Sequence, residues 1–189
     1  MALNRRPFVP YKECFDSFIA LRKEFNDLAE KGKEEFLEGF QELKLAAAQE
    51  NTVAMDLLAY YYKNGVSNDN EKILAENYPR FITWELISAA RGNEFAIEKL
   101  QFLIGYACDA IIEDEDFEVI AYKNDITDGN LLYVLGKAIC KILVKEKKFF
   151  PVDVYQLEDN SAPFKQEYFV NFRHDIDSII PKTIAYLKS

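Results

Sequence analysis

Apolar side chains recur at three- and four-residue steps along most of this chain, the period of helices that bury one face. After Pro10, Phe15, Phe18, Ile19, Phe25 and Leu28 form a stripe with Arg22 on the same face, and Lys31-Gly32-Lys33 ends it. A second helix is predicted over 35–49 with Phe36, Phe40, Leu43 and Ala47 inward, and a third over 52–64 after the junction Asn51-Thr52. Gly65-Val66-Ser67-Asn68-Asp69-Asn70 reads as a polar loop, because these residues tolerate turn geometry. Helix resumes near Pro79 and places Trp84, Ile87 and Ala90 on one face before Gly92-Asn93. A long helix through Ala96, Leu100, Leu103, Ala107 and Ile111 follows, apolar enough to predict a central position.

Dense negative charge at Glu113, Asp114, Glu115, Asp116 and Glu118 interrupts this run and reads as a loop or helix end. Leu131, Leu135, Ala138 and Ile142 mark a further buried helix, followed by Lys145, Lys147 and Lys148, cations that suit a helix C-terminus. Between 149 and 168 the period is irregular and Pro151 and Pro163 punctuate it, so a long connection is expected. Phe169, Phe172, Ile176, Ile179 and Ile180 define the last helix, which Pro181 kinks or restarts.

The expected fold is therefore all-α, one domain over 1–189. With 189 residues, 49% apolar and 14% aromatic, the chain has ample material for a core and none of the character of disorder. Cys14, Cys108 and Cys140 are odd in number and widely spaced, which points to small core residues in a reducing compartment. Asn4-Arg5-Arg6 superficially matches a twin-arginine export signal, but the apolar stretch such a signal needs does not follow. No run is long enough to span a membrane, so the expectation is a cytoplasmic protein. A net charge of −9 disfavours nucleic acid and makes a basic protein the natural electrostatic match.

Residues 46–61 laid over 88–103 align Ala47 with Ala89, Ala48 with Ala90, Asn51 with Asn93, Ala54 with Ala96 and Leu58 with Leu100. The shared content is a helix end of small residues, a tight turn at Asn, and a second helix whose Ala and Leu permit close packing, predicting antiparallel hairpins over 36–64 and 78–112. Over roughly 36–105 the chain resembles the Sel1-like repeat, a relative of the tetratricopeptide repeat. The resemblance is carried by Ala46-Ala47, Ala54, Leu58, Tyr62 and Gly65 in one unit and by Trp84, Ser88-Ala89, Gly92-Asn93, Ala96 and Leu100 in the next. Glu50 stands where that family usually has Gly, Ser67 replaces the second Gly of the inter-repeat turn, and the connection before Trp84 is longer than the family period. The resemblance implies a short right-handed helical array, an α-solenoid of the kind that grips a partner in a curved surface.

Several chemistries lack their residues. A single histidine, His174, and three scattered cysteines supply neither a zinc site nor a paired carboxylate–histidine metal centre, and no cofactor is called for. His174-Asp175-Ile176-Asp177-Ser178 holds the ingredients of a nucleophile relay, but neighbours on a helix point in different directions. In 124–135 Asp128-Gly129 sits where a calcium loop has its Asp-Gly, yet Ile126 and Leu135 occupy ligand positions. The seven glycines form no phosphate-cradling fingerprint.

What remains points to binding without catalysis. Tyr60, Tyr61 and Tyr62 cannot all face one core from one helix, so Tyr60 and Tyr62 are candidates for partner contact. Glu113, Asp114, Glu115, Asp116 and Glu118 are candidates for docking a basic partner. The leading expectation is a protein-interaction module, an adaptor or scaffold. One alternative is an acidic inhibitor or immunity protein for a basic toxin or nuclease. Another is a carboxylate-based enzyme with no recognisable motif, using only carboxylates, tyrosines and lysines, which would need converging carboxylates of perturbed pKa in a pocket.

Overall fold

The structure, a computed structural model, describes residues 8–146 and 172–189. The Arg5-Arg6 pair, Lys147 and Lys148, the connection at 149–168, Phe169 and the His174 side chain lie outside what is described. Nine helices are present among the described residues, and the fold is all-α. They are α1 (Tyr11–Lys31), α2 (Lys33–Ala48), α3 (Thr52–Asn64), α4 (Tyr78–Ala90), α5 (Glu94–Lys99), α6 (Gln101–Ile112), α7 (Phe117–Lys123), α8 (Leu131–Glu146) and α9 (Phe172–Lys188). None is long and apolar enough to cross a membrane.

Helix α4 occupies the centre. Every residue from Phe81 through Ala89 is buried, including Trp84 and the polar Thr83, Glu85 and Ser88. A helix enclosed on all sides belongs to the middle of a layered core, and α4 packs against α3, α5 and α8. The central position had been expected of 96–111. That stretch is instead two helices, α5 and α6, broken at Leu100, whose φ of −92° and ψ of 2° leave the helical region. The Leu100 N–H is shared between the Ala96 and Ile97 carbonyls. The bend is tertiary in origin: α5 meets α1 and α8, whereas α6 turns toward α8 and α9. The outer face of α6 leaves Phe102 and Tyr106 in solvent.

The two junctions aligned by sequence adopt one geometry. Glu50 and Gly92 both have left-handed backbones, at φ 69° and 84°. Glu50 N–H donates to Ala47 O and Gly92 N–H to Ala89 O, while Asn51 N–H reaches Ala46 O and Asn93 N–H reaches Ser88 O. Each helix thus ends on a left-handed cap that serves its last carbonyls. The Asn that follows starts the next helix, since Asn51 accepts from Ala54 N–H at 3.0 Å and Asn93 from Ala96 N–H at 2.9 Å. The α2–α3 and α4–α5 hairpins follow, although the most extensive packing among the described residues is between α3 and α4.

The elements do not form a simple open row. Ahead of α1, Val9 pairs with the second junction through Val9 N–H to Gly92 O and Glu94 N–H to Val9 O. Phe95 meets Tyr11, Phe15 and Phe18 at ring-centroid distances of 5.3–5.4 Å. At the far end α8 covers α4, α5 and α6, and α9 lies on α6, α7 and α8. Helix α9 runs through Pro181 without ending, with Ile176, Ile179, Thr183 and Leu187 buried along one side.

Two elements escaped the periodicity. Helix α7 is only seven residues and buries Ile120 alone. The polar loop predicted at 65–70 holds β1 (Val66–Ser67), which pairs antiparallel with β2 (Lys72–Leu74) just beyond it. Val66 and Ile73 are its buried members, too few to show alternation in a sequence. Gly65 at its base has φ 69°, and a Cβ there would stand 3.0 Å from the Leu74 carbonyl oxygen.

Two substitutions test this packing. Glu50 is held in a left-handed conformation that disfavours a side chain, and its carboxylate pairs with Arg91 at 3.0 Å in a half-exposed setting. In an Arg91→Ala background, Glu50→Gly is expected to raise unfolding free energy by about 1 kcal/mol, and by less with Arg91 present because the ion pair is lost. Urea denaturation reads both values, and a loss in the Arg91→Ala background contradicts the cap geometry. On α8, a Cβ at Gly136 would lie 2.5 Å from Ile97 Cγ2 and 3.2 Å from Ile104 Cδ1. Gly136→Ala should therefore destabilise by about 1–2 kcal/mol despite the better helix propensity of Ala, with favourable coupling to Ile97→Ala in a double-mutant cycle.

Candidate functional site

Chemistry concentrates in three places: a charge centre in the core, a polar groove beside α3, and the outer faces of α6 and α7. The core centre draws one residue from each of three successive helices. Asp56 on α3 and Glu85 on α4 are 0% and 1% exposed, and Lys99 on α5 brings its ammonium 2.9 Å from Glu85 Oε1 and 3.6 Å from Asp56 Oδ1. The other Asp56 oxygen accepts from Asn93 Nδ2 at 2.8 Å, and the same amide lies 3.3 Å from Thr52 Oγ1. Ser88 donates to Thr52 O at 3.1 Å. Asn93 thus starts α5 with its carbonyl oxygen and holds α3 with its nitrogen.

Burial pushes the Glu85 carboxyl well above its ordinary range; the nearby Asp56 carboxylate adds to this, and Lys99 opposes it. Burial acts to lower Lys99, but the two carboxylates outweigh it and hold the ammonium above its usual value. Its charge also lies 4.0 Å from the Phe95 ring centroid and 5.0 Å from that of Phe18, so α1 closes over the centre. These are the converging carboxylates that the carboxylate-enzyme alternative requires, but they sit inside the core and do not line the groove beside α3.

That groove has a volume of about 590 Å³ and runs between α1, α3 and the β1–β2 loop. Tyr60 and Tyr61 form part of its wall. Of the three successive tyrosines, Tyr60 is half-buried with the Arg22 guanidinium 5.3 Å from its ring, and Tyr61 is buried with its hydroxyl donating to Asn26 Oδ1 at 3.0 Å. Tyr62, expected to meet a partner, is 2% exposed and packs edge-on against Phe40, so that assignment is corrected. The helical rotation that required one tyrosine outside selects Tyr60.

The acidic run divides by role. Asp114 Oδ1 accepts from Asp116 N–H at 2.9 Å, which builds the turn into α7. Asp116 pairs with Lys188 at the end of α9. Lys123 donates to the Lys188 carbonyl, and Asn124 Nδ2 donates to Leu187 O at 2.8 Å, so this region clasps the C-terminal helix. Glu113, Glu115 and Glu118 remain exposed. Beside them in sequence, sequence reasoning missed an aromatic surface: Phe102 is 62% and Tyr106 55% exposed on one face of α6, with Asp109 and Glu113 continuing that face. A finer reading of α6 reveals the signal, because Phe102 and Tyr106 lie off the buried stripe of Leu100, Ile104, Ala107 and Ile111. Val119 and Tyr122 are exposed on α7.

The remaining candidates have ordinary structural surroundings where they are described. All three cysteines are free and buried, and desolvation raises each thiol, Cys14 to about 11 and Cys108 to about 12. Ser178 donates to the Asp175 backbone carbonyl at 2.7 Å, in the manner of a helical serine. Among the described residues no group of three His, Cys, Asp or Glu side chains is placed to hold a metal ion.

The core centre makes a pH-dependent contribution whose sign is fixed. Because the folded protein holds the Glu85 proton more tightly than the unfolded chain, the centre is most favourable below the ordinary Glu range and loses stability as pH rises from there through the raised Glu85 value. The Lys99 contribution persists through neutral pH and fades only above the ordinary Lys range. Glu85→Gln is thus expected to gain on the parent as pH rises above the ordinary Glu range in urea denaturation. Lys99→Met should cost about 3–5 kcal/mol at neutral pH, and a loss below about 1 kcal/mol would mean that the ammonium is dispensable.

No protein-family model, no curated protein and no solved structure matches the chain.

Proposed function

We propose that this chain is a noncatalytic protein-interaction module, a short Sel1-like helical array that presents the outer face of α6 to another protein. The observation that carries the reading is the pair Phe102 and Tyr106, two large aromatics one helical turn apart and mostly in solvent. Aromatic rings on a rigid helix provide contact area with little entropy to lose, and such residues dominate binding energy at interfaces. The aromatic face runs on into Asp109 and Glu113, with Glu115 and Glu118 exposed nearby in sequence. A basic partner suits this arrangement, as in an adaptor or an acidic inhibitor.

The repeat reading is supported by the two junctions that share a left-handed cap and an Asn start. The noncatalytic reading is supported by the fate of the carboxylates, since Asp56 and Glu85 are enclosed in the core and Glu113, Glu115 and Glu118 are exposed on a turn or helix surface.

Affinity capture from cell lysate tests the proposal, using the parent, Phe102→Ser/Tyr106→Ser, and Leu45→Ser as a control at a different exposed apolar residue. A stoichiometric partner retained by the parent and the control but weakened at least about tenfold by the double substitution is the expected result. Release at moderate salt would assign part of the attraction to Glu113, Glu115 and Glu118. Capture that ignores the double substitution, or no partner at all, would overturn the proposal.

A further inference from the structure

The groove beside α3 shares no lining residue with the α6 face and has its own chemistry. Its walls are fixed. Tyr61 ties α3 to α1 through Asn26, and Asn68 ties the β1–β2 loop to α1 by donating from Nδ2 to the Ala29 carbonyl at 3.3 Å. The Asn68 Oδ1 in turn accepts from Asn70 and Glu71 N–H at 3.0 Å, which sets the loop. A preformed concavity of about 590 Å³ is of the size that takes a ligand or a short stretch of chain.

Two amides face this space with capacity left over. Asn26 uses its oxygen for Tyr61, which leaves Nδ2 as a donor; Asn64 uses its nitrogen for the Tyr60 carbonyl at 2.8 Å, which leaves Oδ1 as an acceptor. One lies on α1 and the other on α3, so a donor and an acceptor stand on two walls of one slot. A peptide group carries one of each, in complementary sense. The charged lining is of a single sign: Glu30 and Asp69 contribute carboxylates, no Lys or Arg lines the groove among the described residues, and neither carboxylate has an ion-pair partner there. Two uncompensated carboxylates in a shared concavity focus a negative potential.

We propose that this groove binds an extended segment of a basic peptide, its main chain held by the Asn26 and Asn64 amides and a Lys or Arg side chain directed to Glu30 and Asp69. The site is a second one, independent of the α6 face, and gives the module a sequence preference that a flat aromatic patch would lack.

A positional-scanning library of fluorescein-labelled hexapeptides, read by fluorescence polarisation on the full chain, tests the site. Selection of Lys or Arg at one or two positions, with acidic peptides rejected, is expected. Glu30→Gln/Asp69→Asn should abolish that selection. Asn26→Ala and Asn64→Ala should each weaken bound peptides about tenfold whatever their charge; Asn64 is exposed and does not support Tyr61, so it remains informative if Asn26→Ala fails to fold. Phe102→Ser/Tyr106→Ser should leave the peptide affinities unchanged, which separates failure of this site from failure of the α6 face. No positional selection, or selection untouched by the groove substitutions, overturns the proposal. Binding of spermidine without any peptide would also overturn it, and would reassign the groove to small polyamines.

Discussion

A helix enclosed on every side leaves no route to water for its polar side chains, and α4 carries a glutamate at its middle. Glu85 is tolerable there because Lys99 arrives from α5 and because its carboxyl is biased toward the protonated form. Asp56 joins from α3 and is held by Asn93. The three helices can therefore stack in one register: sliding α5 by a turn would strand two buried carboxylates. Apolar packing alone is more forgiving of such slips, and polar groups in a core commonly serve to exclude them.

The left-handed junctions work toward the same end. Each ends one helix and starts the next within two residues, and the second junction also accepts the strand-like pairing of Val9 that brings α1 back over α5. Asn93 belongs to the cap, the charge centre and the Val9 bridge at once. The resulting arrangement is a helical stack closed at one end by α1 and at the other by α8 and α9. Closure explains where the aromatic residues go: Phe25, Phe36, Phe40, Tyr61 and Tyr62 form a chain of ring contacts inside it.

The two surfaces proposed to meet other molecules differ in kind. The α6 face is aromatic and exposed, suited to a partner with a complementary pocket. The groove is concave, amide-lined and acidic, suited to a chain that brings its own hydrogen bonds and positive charge. A protein with net charge −9 has a favourable long-range field for basic partners at both.

Much of this was legible in the residues by themselves. The helical period located α3 at Thr52–Asn64, Asn51 and Asn93 marked the two junctions, and the three adjacent tyrosines required one to face outward. These are local properties, set by backbone geometry and by side chains within a few positions of one another. The tertiary structure decided the rest: that α4 and not 96–111 is central, that Tyr60 and not Tyr62 reaches the surface, that Asp116 clasps the C-terminal helix while Glu113 and Glu118 do not. It also brought Asp56, Glu85 and Lys99 together across 43 positions of chain, and Asn26 to Asn64 across a groove. Periodicity reports which face of a helix is buried; it is silent on what that face is buried against, and charge pairing and grooves depend on the second question alone.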